Sequence, residues 1–321
     1  MTMCFARFGD ARRLGRSPIT NLWRLFSSSS KKNNTGIHDD DLKARREQVE
    51  QVRARVLNDG TNWDSLWKDG VTPWDLGKAT PALVQELANR PSSFWKNRKS
   101  LRTLVPGCGT GYDLVTLKRH HNELIDAGHV QHAVVVGLDI SETGLQKAAE
   151  EFQKATVDDD RPCEARTSTR VELVHGDFFD VSAWSIRHSF GGDNAAAGTL
   201  TMTGDKNHFD FIFDYTFFCA LSPALRPKWG QQTANLLRPE TGQLLTFMFP
   251  LIPVVPNAGK ELQGPPFPVQ ALDYLQVLEP ARMHMMTAEP YSSPDSVPAR
   301  AEMELVCWWS RSTGSDMDKL E

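Results

Sequence analysis

Residues 104–113 read Leu104-Val105-Pro106-Gly107-Cys108-Gly109-Thr110-Gly111-Tyr112-Asp113. The glycines form a G-x-G-x-G turn between an apolar run, residues 101–105, and a helix-compatible segment, residues 112–119. Glycine lets the backbone adopt left-handed conformations and approach a ligand closely, and the start of the following helix offers free N–H groups. The stretch therefore predicts a strand–turn–helix unit that binds a nucleotide-like cofactor.

The spacing of the glycines separates two classes of cofactor. The dinucleotide fingerprint G-x-G-x-x-G would place its third glycine at residue 112, which is Tyr112, whereas this chain has Gly111 one position earlier. No G-x-x-x-x-G-K-[ST] phosphate-binding loop is present either. The tight turn resembles the one in S-adenosylmethionine (SAM)-dependent methyltransferases. SAM is therefore the favoured cofactor, and an NAD-linked dehydrogenase is the weaker alternative.

The segments that follow the turn alternate between strand and helix. Strand 101–105, helix 112–119, strand 133–138 and helix 142–154 form a βαβα series, which predicts a parallel sheet. Further strands are predicted at 171–175, 209–214, 243–249, 283–287 and 302–309, with helices at 223–237 and 269–278. The expected fold class is a Rossmann-like, doubly wound α/β fold with a mostly parallel seven-stranded sheet and an N-terminal helical, Trp-rich cap.

Acidic residues follow two of the predicted strands, where a doubly wound sheet binds its ligand. Asp139 ends the second strand, and its carboxylate is suited to the two hydroxyls of a ribose. Asp177 and Phe178 follow the third strand, where the carboxylate can accept from an adenine amino group while the ring covers the base. Two structural alternatives stay open: Asp139 as the cap of a helix beginning near Ser141, and Asp177 as a turn residue.

A tryptophan-rich segment precedes the alternating core. Residues 62–75, here named the tryptophan segment, contain Trp63, Trp67 and Trp74. Such rings most often belong to a core or to a packing lid. An aromatic face also attracts a cation by roughly 0.5–2 kcal/mol, and SAM carries a sulfonium cation. We therefore expect the segment to close over the cofactor site.

Composition and charge exclude several classes of partner. The chain has 321 residues, a net charge of −4 and five cysteines, which are scattered without C-x-x-C or His-rich spacing. A nucleic-acid-binding surface would need a basic patch, and no apolar run reaches the roughly 20 residues that span a bilayer. We expect no nucleic-acid or membrane partner, no metal site, no disulfide and a monomer in a reducing compartment.

The N-terminus differs in composition from the rest of the chain. Residues 1–34 contain seven Arg or Lys residues against Asp10 alone, and a run of four serines. This pattern is typical of a mitochondrial transit peptide, with a disordered tail as the alternative, so the predicted location is cytoplasmic or mitochondrial. We expect a leader at 1–38 and a single domain at 39–321. That domain divides into an N-terminal cap at 39–100 and a core at 101–321, with loop insertions near 155–170 and 188–208.

Several separate blocks together resemble one known family. They are the run Trp63-x-x-x-Trp67-x-x-Gly70-x-Thr72-Pro73-Trp74-Asp75-x-Gly77, the turn at 104–113, Gly137–Ser141, Asp177–Phe179, Phe213–Ala220, Arg226-Pro227-x-Trp229 and Gly264–Phe267. In this order they resemble the thiopurine S-methyltransferase superfamily, most of all its plant and fungal branch of thiol and halide methyltransferases. The resemblance spans residues 60–310 apart from the two insertions, and the stretch 250–264 is longer than expected for the family.

The resemblance implies a SAM-dependent S-methyltransferase of small thiols, with hydrosulfide, thiocyanate or halide ions as further acceptors. Carried over residue by residue, it implies SAM contacts at Trp63, Trp67, Trp74, Gly107, Asp139, Asp177, Phe178 and Tyr215, to which the turn itself adds Gly109 and Gly111. A non-catalytic SAM-binding protein and an N- or O-methyltransferase remain alternatives. The D/N-P-P-Y signature of amino-group methylation is absent after the fourth strand.

Methyl transfer to sulfur needs little acid–base chemistry. The step is an in-line displacement, and a thiol with a pKa near 8.5 is already a few per cent thiolate near neutrality. Alignment in a water-poor pocket is then the main contribution, worth roughly 7–11 kcal/mol. Asp214 and Tyr215, at the end of the fourth strand, are the candidate catalytic residues, through hydrogen bonding or through tuning of the acceptor's charge. No general base is assigned.

Overall fold

The computed structural model describes residues 39–59, 62–91, 94–95, 98–157, 169–191, 198–199, 208–251, 264–291 and 303–312. Among these residues the helices are α1 (Asp39–Asp59), α2 (Trp63–Lys68), α3 (Pro81–Asn89), α4 (Tyr112–Asp126), α5 (Glu142–Val157), α6 (Arg226–Leu236) and α7 (Ala271–Leu278). The strands are β1 (Arg98–Pro106), β2 (Val130–Asp139), β3 (Thr169–His175), β4 (Ser185–Phe190), β5 (Gly198–Thr199), β6 (Phe211–Tyr215), β7 (Gln243–Met248), β8 (Met283–Pro290) and β9 (Leu305–Arg311). The expected leader at 1–38 lies outside the described residues, as do most of the 155–170 insertion and residues 252–263.

One sheet organises the described residues, in the order β5-β4-β3-β2-β1-β6-β7-β9-β8. Its central strands β3, β2, β1, β6 and β7 pair in parallel. The pairings beyond them, from β3 to β4 and from β7 to β9, are antiparallel. The doubly wound α/β fold class expected from the sequence is therefore confirmed. All seven predicted strands are present, and β4 and β5 extend the sheet to nine strands at its β3 edge.

Strand β4 extends into residues 188–208, a segment that the sequence predicts as a loop. Residues 185–190 pair antiparallel with β3, and residues 198–199 pair with β4. The unpaired edge of β3 supplies backbone hydrogen bonds to a segment of weak intrinsic strand preference, so tertiary context decides its structure. The first part of the predicted loop is therefore strand. Residues 192–197 and 200–207 lie outside the described residues.

The helices begin and end close to their predicted bounds. Helix α5 begins at its predicted residue 142 and α7 ends at its predicted residue 278, whereas α4 continues to Asp126, beyond the predicted end at residue 119. The longest described helix, α1, has 21 residues and a highly charged sequence. None of the helices in the described ranges is long and apolar enough to cross a membrane.

Apolar side chains cover both faces of the sheet. Leu101, Val105 and Val135 pack with α4 and α5 on one face, while Leu104 and Val136 pack with α6 and α7 on the other. Successive side chains of a strand point to opposite faces, so a strand buried on both faces reads as a continuous apolar run. Burying each of these side chains contributes roughly 1.5–3 kcal/mol. This core fixes the strand ends on which the site is built.

The register of the parallel strands brings their carboxyl ends together. Pro106 of β1 pairs with Leu138 of β2, and Asp139 at the end of β2 pairs with His175 at the end of β3. Tyr215 is the last residue of β6, which pairs directly with β1. The glycine turn, Asp139 and the residues after β3 and β6 therefore lie at one edge of the sheet, where such a fold binds its ligand.

Candidate functional site

The glycine turn connects β1 to α4 and needs glycine at three positions. Gly107, Gly109 and Gly111 have φ angles of +62°, +51° and +78°, in the left-handed region that other residues rarely adopt. A Cβ atom on Gly107 would lie 2.8 Å from the ring of Phe217, and one on Gly109 would lie 3.1 Å from the ring of Trp67. The turn therefore presents bare backbone between two aromatic rings, as close approach to a ligand requires.

Asp139 ends β2 with its carboxylate bound to the glycine turn. Its Oδ2 accepts from the Gly109 N–H and its Oδ1 from the Ser141 N–H, each at 2.9 Å. Burial raises the pKa of Asp139, against the opposing effect of these backbone donors. Ser141 itself caps α5, because its Oγ accepts from the Gly144 N–H at 2.9 Å. Ser141, and not Asp139, is therefore the residue that caps α5.

Asp177 and Phe178 follow β3 in a tight turn. The Asp177 Oδ1 accepts from the Phe179 N–H at 2.9 Å, so the turn role predicted as an alternative is present. The carbonyl of Asp177 accepts from the Trp184 Nε1–H at 2.7 Å, which anchors the turn to a fully buried ring. Phe178 is buried and packs edge-on against Phe217, with ring centroids 5.2 Å apart. Both predicted residues are therefore held in fixed positions.

The three rings of the tryptophan segment pack against one another. Trp74 lies edge-on to Trp63 and to Trp67, at 5.3 Å and 5.7 Å between ring centroids. Trp67 is 4% exposed, borders both the glycine turn and Gly144 of α5, and has the Lys147 ammonium 5.2 Å from its ring centre. Trp63 and Trp74 also pack on a small apolar cluster shared with α1. The rings therefore join the N-terminal cap to the core.

Asp64 ties the tryptophan segment to the N-terminus of α5. Its Oδ1 accepts from the Ser141 hydroxyl at 2.8 Å and from the Thr143 N–H at 2.9 Å. Burial alone would raise the pKa of Asp64, but hydrogen bonds from Lys68, Thr143 and Ser141 hold that pKa well below its usual range. The carboxylate therefore stays charged at a helix N-terminus, where negative charge is favoured.

Two further carboxylates fix this part of the cap to the glycine turn. The Asp75 Oδ2 accepts from the Thr110 hydroxyl, inside the turn, at 2.7 Å. Asp113, in the first turn of α4, accepts from the Thr80 N–H at 2.7 Å and from the Thr80 hydroxyl at 2.9 Å. Burial raises the pKa of Asp113 to about 6, although both Thr80 donors oppose the shift. The tryptophan segment is thus hydrogen-bonded to the core through both of its ends.

A cavity of about 500 Å³ lies at this edge of the sheet. Its volume falls in the range typical of small-molecule sites. Eight of the ten predicted cofactor residues line it: Trp63, Trp67, Trp74, Gly107, Gly109, Asp139, Asp177 and Phe178. The other two, Gly111 and Tyr215, line a smaller cavity of about 70 Å³ that shares Trp67, Gly107 and Gly109 with the larger one. The structure therefore brings the predicted cofactor residues together.

The two candidate catalytic residues do not line the larger cavity. Asp214 is 1% exposed and accepts from the Trp229 Nε1–H at 3.0 Å and from the Phe218 N–H at 3.1 Å. Burial raises the pKa of Asp214 to about 7 against those hydrogen bonds. Tyr215 donates its hydroxyl proton to Glu304 at 2.6 Å. Asp214 therefore contacts α6, and Tyr215, which lines the smaller cavity, contacts the residue before β9.

Sequence reasoning missed two parts of the cavity wall. One part consists of Arg45, Val49 and Val52 of α1. A second group consists of rings close to strand ends and a proline pair: Phe179, Phe217, Phe249, Pro265 and Pro266. Each phenylalanine lies within four residues of the end of a parallel strand, and this position was the signal that could have found it.

Among the residues that the structure describes, four charged side chains line the larger cavity. Asp139 and Asp177 lie at the strand ends, and the two cations are Arg45 on α1 and Lys228 on α6. The Lys228 Nζ lies 4.8 Å from the centre of the Phe179 ring, a cation–π distance. Within the described part of the chain, no group of three His, Cys, Asp or Glu side chains is placed to hold a metal. The cavity therefore offers carboxylates at the sheet edge and cations on the helices.

The chain is similar to several known proteins. The family model described as thiopurine S-methyltransferase matches residues 58–191 and 197–307. Probable thiol methyltransferase 2 from Arabidopsis thaliana is 31% identical over 258 residues, which cover 80% of this chain and 87% of that one. Thiocyanate methyltransferase 1 from Brassica oleracea is 31% identical over 265 residues, which cover 83% and 91%. The solved structure of a TehB-like SAM-dependent methyltransferase from Corynebacterium glutamicum is 15% identical, with a TM-score of 0.41 and coverage of 80% and 98%.

Proposed function

The chain belongs to the thiopurine S-methyltransferase family, and from that premise we propose that it transfers a methyl group from SAM to a small thiol or to an anionic sulfur or halide acceptor. The observation that carries the proposal is one cavity whose wall combines a bare glycine turn, a buried carboxylate at a strand end and a cluster of aromatic rings. The names of the two plant relatives, a thiol and a thiocyanate methyltransferase, support sulfur as the accepting atom.

The residues of the two cavities fit SAM. Gly107 and Gly109 bring bare backbone to the cavity wall, beside the rings of Phe217 and Trp67. A carboxylate has about four lone-pair sites, so Asp139 can accept from ribose hydroxyls in addition to its backbone donors. Asp177 and Phe178 suit the adenine, the three tryptophans suit the sulfonium, and the smaller cavity suits the amino-acid end. When bound, SAM supplies a methyl group activated by the positive charge on its sulfur.

The acceptor side of the cavity combines cations with apolar rings. Arg45 and Lys228 favour a negatively charged acceptor, because a low-dielectric wall strengthens their attraction for an anion. Phe217 and Phe249 add surface that excludes water from the reacting atoms. A thiolate, hydrosulfide, thiocyanate or halide is already nucleophilic, so this side of the cavity needs no general base.

Asp214 serves in this proposal as a positioning residue. Its carboxylate binds the Phe218 N–H and the Trp229 indole, which together fix the turn after β6 to α6. Thr216, in that turn, has a φ angle of +63° and lines both cavities. A non-glycine residue in this region of backbone space persists only when its surroundings hold it, and the Asp214 contacts provide that support.

Two measurements test the proposal together. Calorimetry should detect SAM binding in the micromolar range in the wild type and no binding in Asp139→Ala, with Asp126→Ala, an exposed carboxylate at the end of α4, as the matched control. Transfer of radiolabelled methyl groups should then occur to hydrosulfide, small thiols or iodide. SAM bound without transfer to any of these would favour a non-catalytic binding protein, and transfer only to nitrogen or oxygen acceptors would favour another methyltransferase. Absence of SAM binding would refute the proposal.

The proposal extends to assembly and location. The net charge of −4 supports a small-molecule acceptor with no nucleic-acid or membrane partner. Five large apolar side chains are exposed among the described residues, and two of them, Ile140 and Leu225, line the larger cavity. This small number supports a monomer, and light scattering after gel filtration tests it. The basic, serine-rich residues 1–34 support a mitochondrial location, with a cytoplasmic location as the alternative. Fusing residues 1–38 to a fluorescent protein tests that choice.

A further inference from the structure

A buried carboxylate far along the chain holds the Tyr215 hydroxyl. Glu304 directly precedes β9, is 5% exposed, and accepts the Tyr215 proton on its Oε1 at 2.6 Å. The two residues are 89 positions apart, so the bond joins the end of β6 to the start of β9 across β7. The Tyr215 ring is held in place by edge-on packing against Phe247 at 5.6 Å between centroids. The hydroxyl therefore has a fixed position and a fixed partner.

The direction of this hydrogen bond decides what Tyr215 offers to a ligand. A phenol has one proton and two lone pairs, and here the proton is donated to Glu304. Towards any other group the oxygen acts only as an acceptor. A charge-assisted bond to a buried carboxylate also increases the electron density on that oxygen. Tyr215 is therefore suited to a cation or a donor, and unsuited to donating a proton to the methyl acceptor.

The wall around Tyr215 has the matching charge. The smaller cavity is lined by the glycine turn together with the carboxylates Asp75 and Asp113. Its lysine, Lys78, is exposed to solvent, where its charge is screened. These carboxylates and the Tyr215 oxygen therefore provide acceptors for a positively charged group, beside the N–H groups of the glycine turn.

We infer that Glu304 is a positioning residue, which orients Tyr215 so that its oxygen receives the positively charged end of the cofactor in the smaller cavity. The inference rests on the proposed function, because SAM is the ligand that brings a cation to this place. It specifies how Tyr215, already expected to contact SAM, does so, and it favours this role over the hydrogen-bonding or charge-tuning role towards the acceptor that the sequence also allowed. It also assigns a function to Glu304, which directly precedes β9 and does not lie at one of the strand ends that form the rest of the site.

Three ligands that carry different positive charges test whether Glu304 acts on the charge of the cofactor or only on the shape of the cavity. SAM carries a sulfonium and an ammonium, S-adenosylhomocysteine keeps only the ammonium, and 5′-methylthioadenosine has neither. Calorimetry on Glu304→Gln should show SAM bound about tenfold more weakly and 5′-methylthioadenosine bound within twofold of the wild type. In a Tyr215→Phe background, the further loss from Glu304→Gln should disappear, because both changes act through one contact. Glu279→Gln, an exposed carboxylate after α7, is the matched control.

Each outcome of the calorimetry either supports the inference or overturns it. A loss for S-adenosylhomocysteine equal to that for SAM assigns the ammonium as the partner of Tyr215, and a smaller loss assigns the sulfonium; both support the inference. Equal losses for all three ligands mean that Glu304 only maintains shape, and additive losses in the double variant mean that it acts elsewhere; either result overturns the inference. A wild-type protein that binds no SAM would instead refute the proposed function. Thermal melting of each variant confirms that it is folded.

Discussion

Replacing Gly109 by alanine should damage cofactor binding more than its effect on stability implies. Gly109 has a φ angle of +51°, and an added Cβ would lie 3.1 Å from the ring of Trp67. Gly128, after α4, offers a matched control, because its φ angle is +71° and an added Cβ there meets no atom within 4 Å. The two substitutions share the backbone cost and differ in the contact with the indole.

The magnitude follows from these two contributions. A left-handed conformation costs a non-glycine residue about 1–2 kcal/mol, which is the whole expected effect of Gly128→Ala. Gly109→Ala adds an overpacked contact of about 1–3 kcal/mol, which gives roughly 2–5 kcal/mol in total. Because Trp67 lies on the cavity wall between the turn and α5, the displaced ring should also weaken SAM binding, by about tenfold or more.

Urea unfolding and calorimetric SAM titration of the wild type and both variants measure the two effects separately. We expect SAM affinity to fall in Gly109→Ala and to stay at the wild-type value in Gly128→Ala. If both variants bind SAM as the wild type does, the contact between Gly109 and Trp67 does not shape the cofactor site. If both lose affinity equally, the loss reflects general destabilisation, and the reasoning from the turn geometry is wrong.

Three further changes test other parts of the structure. Asp64→Asn should cost about 1 kcal/mol near neutral pH, because the N-terminus of α5 loses a charged acceptor. Because the pKa of Asp64 is lower in the folded protein than in the unfolded chain, the extra stability of the wild type over Asp64→Asn should decrease as the pH falls below about 4. Melting curves at pH 3 and pH 7 measure this difference, and an equal difference at both pH values contradicts the reasoning. Asp214→Asn should be less stable than the wild type, and the difference in stability between the two proteins should narrow from about pH 4 to about pH 7. The reason is that the folded pKa of Asp214 is raised, so ionisation of this side chain in that pH range destabilises the folded wild type. Melting curves that show the difference widening over this range contradict the prediction. Arg45→Ala should raise the KM for thiocyanate about three- to tenfold and leave SAM affinity unchanged. Arg46 is exposed on the same helix, so Arg46→Ala should change neither quantity. Steady-state kinetics that show equal effects of the two changes would mean that Arg45 does not contact the acceptor.

The cofactor side of the site was predictable because local patterns encode it. Three glycines at fixed spacing after an apolar run specify the turn, and the φ angles of Gly107, Gly109 and Gly111 show why no other residue suits it. Asp139 and Asp177 follow apolar strands, and a parallel sheet places such strand ends side by side. The order of strands and helices along the chain then determines the rest of this edge.

Contacts between distant segments were not predictable in the same way. Glu304 meets Tyr215 across 89 residues, and Arg45 reaches the cavity from a helix that precedes most of the segment matched by the family. Neither contact has a local period or spacing, because each depends on how β9 and α1 dock against the finished sheet. Asp214 illustrates the same limit, since its position after apolar residues indicated the right strand end but not that its carboxylate would bind Trp229.

The eight tryptophans among the described residues divide into two groups that report different events. Three of these, Trp63, Trp67 and Trp74, line the cavity, and five more are at most 1% exposed in the core: Trp95, Trp184, Trp229, Trp308 and Trp309. Indole emission depends on local polarity, so a ligand in the cavity alters the light from the first group, while global unfolding alters the light from both groups. The protein therefore carries its own optical reporter, with which cofactor titrations and denaturation can be followed separately in unlabelled enzyme.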